Sequence, residues 1–385
     1  MAVQLQFFPV GNGDMTLIKT DTGKTVLIDC NIRKAADDDS EDEFDAASAL
    51  KDALERDFEG RYHLDGMVLS HPDKDHCSGL ETHFHLEAPD DWSEKDDKII
   101  IDTMLSSPIV FRRMNDGESL CDDAKAWRKE AKRRVNLHKK SGVQSTAGQA
   151  ILILGEDIDG KTDELEEILV KVGETFSELR GEDAGFDARL IGPVPDDEVG
   201  DDEKEKLSKN NSSVIMNVSL HAEGVSDATK FLTGGDAEVE VWKQVWVREG
   251  ATPETLEYDV LQAPHHCSWR SLSEESWSES NGTATVDDEA YAALSQARTG
   301  AIVVSSSKPV KSDDSDPPCI GAKETYEDMT NVDDFLCTGE HPTESDPDVL
   351  IIEVFADGWR KLTTKISTVS ALGLGSVAAT PRRHG

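Results

Sequence analysis

The chain has 385 residues, 37% of them hydrophobic, enough to bury a large core as one big domain or two smaller ones. Its 78 Asp and Glu against 40 Lys and Arg give a net charge of −38, which repels phosphate backbones and disfavours a protein that coats long nucleic acid. No apolar run is long enough to span a bilayer. "MAVQLQFFPVGNGD" lacks the basic start and small-residue cleavage site of a secretory signal, and six scattered cysteines form no CxxC pair, so a soluble cytoplasmic protein without a disulfide framework is expected.

In chain order, "VQLQFFPV" and "KTVLID" predict strands flanking the turn signals "GNGD" and "DTGK", an opening hairpin or meander. The spacing of Phe44, Leu50, Leu54 and Phe58 predicts a helix over 43–58. "DGMVLS" is a strand that delivers "HPDKDH"; "KIIIDTML" and "PIVFRRM" are further strand candidates. Helices are expected over 118–140 and 163–179, the second from Leu165, Ile168, Leu169, Val172 and Phe176. After an acidic linker, "VPDDEVGDDEKEKL", come four strand-like segments, "SSVIMNVSL", "TKFLTGGD", "YDVLQAPHH" and "GAIVVSSS", the last preceded by a helix around 287–297. "DVLIIEVF" is a late strand. The alternation predicts α/β layers with sheets covered by helices.

"SHPDKDH" places His71, Asp73, Asp75 and His76 together, a spacing unlike the i, i+4 pair of a helical zinc protease, and Pro72 disfavours a helix at Ser70. The polar groups therefore sit on a loop at a strand's carboxyl end. Asp29, Asp236 and His265–His266 likewise follow apolar strands, and such ends can meet in one crevice. A tight acidic cluster repels itself without a cation. His71 and Asp73 can ligate one divalent ion and Asp75 and His76 another, with Asp236 bridging and His265 or His266 closing the second shell. Gly234–Gly235 lets the backbone bring Asp236 close. Cys77 and Cys267, beside these ligands, are expected to serve small-residue packing.

The order "VGNGD", "TVLID", "LSHPDKDHCSGL", "NNSSVIM", "FLTGGDAE", "APHHCS" resembles the metallo-β-lactamase fold hydrolases, most nearly the branch typified by the hydrolase domain of the competence protein ComEC. It covers residues 3 to about 355 and implies an αββα sandwich with a binuclear centre at its edge. The expected domain is 1–366, with an expanded, partly helical middle over about 86–205; 367–385 is a small, polar, loosely ordered tail. Asp73 stands where the common HxHxDH loop has its second histidine. The third-block histidine has no clear counterpart, which makes Asn210, Asn211 and Ser213 candidates to ligate weakly or bind substrate, with His221 a lesser alternative. Three carboxylates against two divalent ions leave about one positive charge, favouring manganese or magnesium alongside zinc and a hydroxide nucleophile best formed above neutral pH.

The resemblance implies nuclease-type hydrolysis, and two close ions suit in-line attack at phosphorus. The expectation is a phosphodiesterase acting on DNA, RNA or a nucleotide, with Asp75 and His266 catalytic, His266 as proton donor, and His265 a ligand. A thioester, lactone or amide hydrolase on the same fold is the second reading; a non-catalytic, metal-stabilised interaction protein is the third. Lys125 to Lys140 holds eight Lys or Arg and one acid: a solvated helix face, or a cationic arm that brings an anionic substrate to an acidic enzyme.

Overall fold

Short runs rich in Val, Ile, Leu and Phe pair into two large mixed sheets in the computed structural model, which describes residues 2–34, 43–111, 119–195 and 212–362. The first sheet runs in the order Gly358–Lys361, Leu350–Phe355, Val3–Phe7, Thr16–Lys19, Thr25–Ile28, His63–Leu69, Ile99–Ser106, Ala150–Leu154, Leu169–Val170. It is antiparallel as far as Thr25–Ile28 and parallel beyond. The second runs Thr175–Leu179, Glu182–Gly192, Ile215–Ala222, Val225–Thr233, then Tyr258–Gln262, Ala297–Ser305 and Val332–Cys337, again antiparallel first and parallel after Val225–Thr233. The fold is therefore α/β.

Side-chain alternation decides what each sheet face covers. Phe231, Val260 and Ile302 join Leu5, Phe7, Met67 and Leu105 of the first sheet in one buried cluster. Phe7 meets Phe231 edge to face at 5.8 Å. Their neighbours Leu232, Leu261 and Val303 point the other way, onto Trp242 and Val245 of helix Val239–Glu249, Ala290 and Ala293 of Asp288–Leu294, and Tyr326 of Ile320–Glu327. Buried polar links also join the sheets: Thr16 Oγ1 donates to Gln262 Oε1 (3.1 Å), and Val214 N–H to Ser70 O (2.9 Å). The carboxyl ends of the parallel strands thus share one edge of the molecule.

Two expected elements differ. Residues 163–179 form not a helix but a 3-10 turn, Asp163–Ile168, and strands Leu169–Val170 and Thr175–Leu179. A turn closed by Glu174 N–H on Lys171 O (2.9 Å) divides the apolar positions, which two short strands bury as well as one helix would. "PIVFRRM" is not a strand within the described residues: Pro108 starts a turn closed by Phe111 N–H on Pro108 O, and Ile109, Val110 and Phe111 are buried in a 3-10 turn. The expected tail, 367–385, lies outside the described residues, as do Asn210 and Asn211.

The helices over 46–53, 122–141 and 288–294 form where the periodicity predicts them. Helix Asp122–Ser141 corrects the picture of a wholly solvated basic face. Arg134 is fully buried, with Nε on Glu130 Oε1 (2.7 Å) and its guanidinium donating to Ile101 O, Asp102 O and Ala150 O. Arg133 is held by Glu130 and by Gly148 O. No described helix is long and apolar enough to cross a membrane.

Candidate metal centre

Asp236 follows strand Val225–Thr233 and is 2% exposed. Each of its carboxylate oxygens faces two imidazoles. Oδ1 lies 2.9 Å from His76 Nε2 and 3.4 Å from His266 Nε2; Oδ2 lies 3.5 Å from His71 Nε2 and 3.7 Å from His265 Nε2. His266 Nε2 is also 3.3 Å from His76 Nε2 and 3.5 Å from Asp75 Oδ2, while its Nδ1 is 3.3 Å from Asp14 Oδ1. Asp14, His76, Asp236 and His266 form a buried group whose ligand atoms all lie within 4.8 Å of one another and that could hold a metal ion.

The backbone reaches this arrangement through local strain and close approach. His265, His266 and Cys267 are three successive residues with φ of 50°, 53° and 65°, and Asp29 has φ 58°. Left-handed non-glycine residues cost of order 1–3 kcal/mol each and persist only where the surroundings fix them. His265 N–H bonds Gly235 O (2.9 Å), tying the two loops of the second sheet. A Cβ on Gly235 (φ +49°) would meet Ser70 Oγ at 2.9 Å, so glycine there lets Asp236 approach the first sheet's loop. Gly13 of "GNGD" is as constrained: its Cβ would lie 2.7 Å from Asp75 O, and Asp14 N–H donates to that same oxygen (3.2 Å).

A layer behind the imidazoles orients them. Asp29, fully buried, accepts from Ser70 N–H (2.7 Å), Ser70 Oγ (2.5 Å) and His76 Nδ1 (2.8 Å). Ser70 Oγ is also 3.0 Å from His71 Nδ1. Both Nδ1 atoms are thus engaged on one side, which turns both Nε2 atoms toward Asp236. Ser213 Oγ accepts Asp236 N–H at 3.1 Å, fixing the carboxylate's backbone.

Electrostatics and unmet hydrogen bonds say what the pocket accommodates. Burial depresses the His76 imidazole, but Asp236 and Asp29 outweigh it and hold it well above its usual value. His266 is likewise pushed down by burial yet raised to about 10 by Asp236, Asp14 and Asp75. Asp236 is favoured as the neutral acid by burial, but the surrounding histidines keep it well below the usual carboxylate range. Burial also opposes the charge on Asp75, which His266 and His76 restore, leaving it below that range. Even so, Asp14 Oδ1, His71 Nε2, Asp236 Oδ1 and His266 Nδ1 are buried, and their close contacts with one another and with His76 do not reach hydrogen-bond geometry. Four ligands about 2.05 Å from a tetrahedral ion sit roughly 3.3 Å apart. The contacts of 2.9 to 3.5 Å around His76, His266, Asp75 and Asp236 match that spacing. The residues fit a divalent cation.

Of the residues expected from sequence, His71, Asp75, His76, Asp236, His265 and His266 meet here. Asp75 is the exposed one, its side chain 42% accessible at the mouth. Asp73 is half-buried at the start of the turn Lys74–Cys77, and its carbonyl accepts His76 N–H. Ser213 touches the site through Asp236; His221 pairs instead with Asp187 (3.2 Å). Cys77 and Cys267 are fully buried, against Cys121 Sγ (3.3 Å) and Cys319 O. Asp29 joins the site as its strand end "TVLID" predicts, behind the imidazoles; Asp14 and Ser70 were not expected there, although "GNGD" marked where Asp14 lies. A second group, His63, Asp65 and Asp102, lies on strands His63–Leu69 and Ile99–Ser106, but Lys24 (3.1 Å from Asp65) and Arg180 (3.1 Å from Asp102) already balance its carboxylates. No family model matches the chain, and no curated protein matches it.

Proposed function

We propose that this chain is a metal-dependent hydrolase of the metallo-β-lactamase fold, an αββα sandwich, and that it cleaves phosphodiesters of DNA, RNA or a nucleotide with two divalent ions. The observation that carries the reading is Asp236, whose two oxygens each face a separate pair of imidazoles, the pattern a bridging carboxylate needs. His71 and His265 would hold one ion, with Asp73 the candidate from the same loop; Asp75, His76 and His266, with Asp14 behind, would hold the other. This moves His266 from proton donor to ligand. Such a pair of ions, when bound, supplies Lewis acidity and an activated water. Zinc, manganese and magnesium all suit the mixed nitrogen and oxygen donors, the carboxylates favouring the harder ions.

The chain's own part is to hold and orient. Asp29 and Ser70 keep His76 and His71 in the tautomer that offers Nε2 inward. Asp236, anchored by Ser213, keeps the two imidazole pairs in one frame. Asp75, the partly exposed ligand, is the carboxylate that an entering water or substrate would meet first at the mouth. The test joins elemental analysis to turnover of bis-p-nitrophenyl phosphate with added manganese or zinc. About two ions per chain and hydrolysis lost in His76→Ala support the reading. Absence of metal after reconstitution refutes it, and metal with turnover only of thioesters or lactones would replace the bond cleaved.

A further inference from the structure

The six cysteines are all free, and five of them are buried. Cys121 is the half-exposed one, and its Sγ lies 3.3 Å from Cys77 Sγ. A disulfide holds its sulfurs about 2.05 Å apart, so this pair has only about 1.25 Å to close. The backbone on either side keeps the two sulfurs opposed. Asp123, two residues after Cys121, accepts Glu81 N–H (2.8 Å) and Gly79 N–H (3.3 Å), which pins the first turn of helix Asp122–Ser141 to the chain just after Cys77. Cys30 is bridged to Cys77 through the backbone, but its thiol donates to Ser78 O (3.2 Å) instead.

The two thiols are unequal, and that sets the order in which they react. Cys121 is the N-cap of helix Asp122–Ser141, where its Sγ accepts Ala124 N–H (3.4 Å). A hydrogen bond from Cys77, helped by the Ala124 amide, outweighs burial and the Asp123 carboxylate and brings the Cys121 thiol down to about 6. Cys77 has no exposed surface. An oxidant from solvent therefore meets Cys121 first, with a resolving sulfur already beside it.

The pair is joined to the metal centre by the chain itself. Cys77 directly follows His76, whose Nε2 faces Asp236 Oδ1 (2.9 Å), and Cys30 directly follows Asp29, which accepts from His76 Nδ1 (2.8 Å). The helix is the better anchored partner: Trp127 is fully buried with Nε1 on Ser106 Oγ (3.0 Å), and Arg134 is fixed to Ile101 O, Asp102 O and Ala150 O. Closing the two sulfurs therefore draws mainly on the four-residue turn Lys74–Cys77, which carries His76.

We propose that Cys121 and Cys77 are a reversible oxidation site, at which a peroxide oxidises Cys121, Cys77 closes a disulfide, and the closure loosens the His76 side of the metal centre. Cys121 Sγ attacks one peroxide oxygen and the O–O bond breaks, giving a sulfenic acid and one water. Cys77 Sγ then attacks the Cys121 sulfur, the S–O bond breaks, and the hydroxyl leaves with the Cys77 proton as a second water. Two thiols and one hydrogen peroxide thus become one disulfide and two waters. The oxidation itself is independent of the metal-dependent reading; its effect on His76 rests on that reading.

The full chain, reduced and in chelator, is treated with hydrogen peroxide and followed by intact mass and peptide mapping. Wild type and Cys30→Ser should lose two hydrogens and yield one linked peptide pair, Cys77 to Cys121, reversed by dithiothreitol. Cys121→Ser, which keeps a good N-cap, should form no disulfide, and Cys77→Ser should stop at a sulfenic acid on Cys121 that dimedone traps. Manganese, an ion with little preference for thiols, is then titrated into reduced and oxidised wild type. The disulfide should weaken one ion by about tenfold, the lower end of the cost of disturbing a ligand's support. By reciprocity, saturating manganese should raise the reduction potential of the pair by about 30 mV. If the linked pair forms but neither state binds manganese, the oxidation site stands and the metal-dependent reading fails. A wild type that forms no disulfide, a Cys121 linked to another cysteine, or a disulfide that leaves manganese affinity unchanged overturns the proposal.

Discussion

Asp29→Asn removes one charge and one acceptor from behind His76 while keeping shape. Asp29 has φ 58°, a region asparagine tolerates well, so the backbone cost is small. The carboxylate accepts three hydrogen bonds in a fully buried position: Oδ1 from Ser70 N–H, Oδ2 from Ser70 Oγ and from His76 Nδ1. An amide has a single oxygen. Placed toward His76 it keeps the imidazole but sets its NH2 against Ser70 N–H; flipped, it keeps Ser70 N–H and sets the NH2 against His76 Nδ1. Either way a buried donor is stranded, a penalty of about 1–3 kcal/mol. Losing the partner of a ligating histidine typically weakens metal affinity by about 10–100-fold, or 1.4–2.7 kcal/mol. The assay is competition against a chromogenic chelator, which resolves tighter from weaker ions, with near-ultraviolet circular dichroism to check the fold. Selective weakening of the ion held by His76 is expected, with the His71 ion less affected. An Asp29→Asn protein that is folded and binds both ions with wild-type affinity would refute the orienting role.

Four further outcomes follow from the same geometry. His71→Ala or His265→Ala should leave about one ion per chain, as should His76→Ala or His266→Ala, whereas Asp236→Ala should lose both; elemental analysis of the purified variants decides. Arg134→Ala leaves Glu130 paired with Arg133 but takes the side-chain donor from three backbone carbonyls, and should cost about 1–3 kcal/mol in urea unfolding, while Lys132→Ala should leave the midpoint unchanged. Burial raises the Asp102 carboxyl from 3.8 to about 6 against the pull of Arg180 and His63, so the folded state holds that proton more tightly than the unfolded chain. Its stability contribution therefore falls as pH rises from about 4 to about 6 and stays low above. Asp102→Asn should then raise the Tm at pH 7.5 by the equivalent of at most about 3 kcal/mol, less what Arg180 loses, with the gain gone near pH 4.

The difference between what was legible in sequence and what was not follows from how each residue works. His71, Asp75, His76, Asp236, His265 and His266 announce themselves because their types are rare in tight clusters and each follows an apolar strand. Asp14 is a lone aspartate in a chain with 78 acidic residues, and only its N–H on Asp75 O shows it; Asp29 is marked by its strand end, but its place behind His76 comes from register, through its N–H on Val68 O. The helix expected over 163–179 fails for a related reason. Its apolar spacing is compatible with either period, and pairing with Ala150–Leu154 and Glu182–Gly192 decides for strands. Strand Glu182–Gly192 itself is hidden because its first residues, Glu182 and Asp183, are exposed and charged; alternation starts only at Phe186. The basic stretch shows the same limit in charge. Periodicity places all eight cations on a helix, but which of them is solvent, core or cavity wall depends on the neighbours. Carbonyls of two adjacent strands converge on Arg134 and offset its burial cost together with Glu130, whereas nearly two turns earlier Arg128 lines a cavity. Local sequence thus fixes the kind of group presented, and the parallel halves of two sheets, by sharing one edge, decide which of those groups can act together.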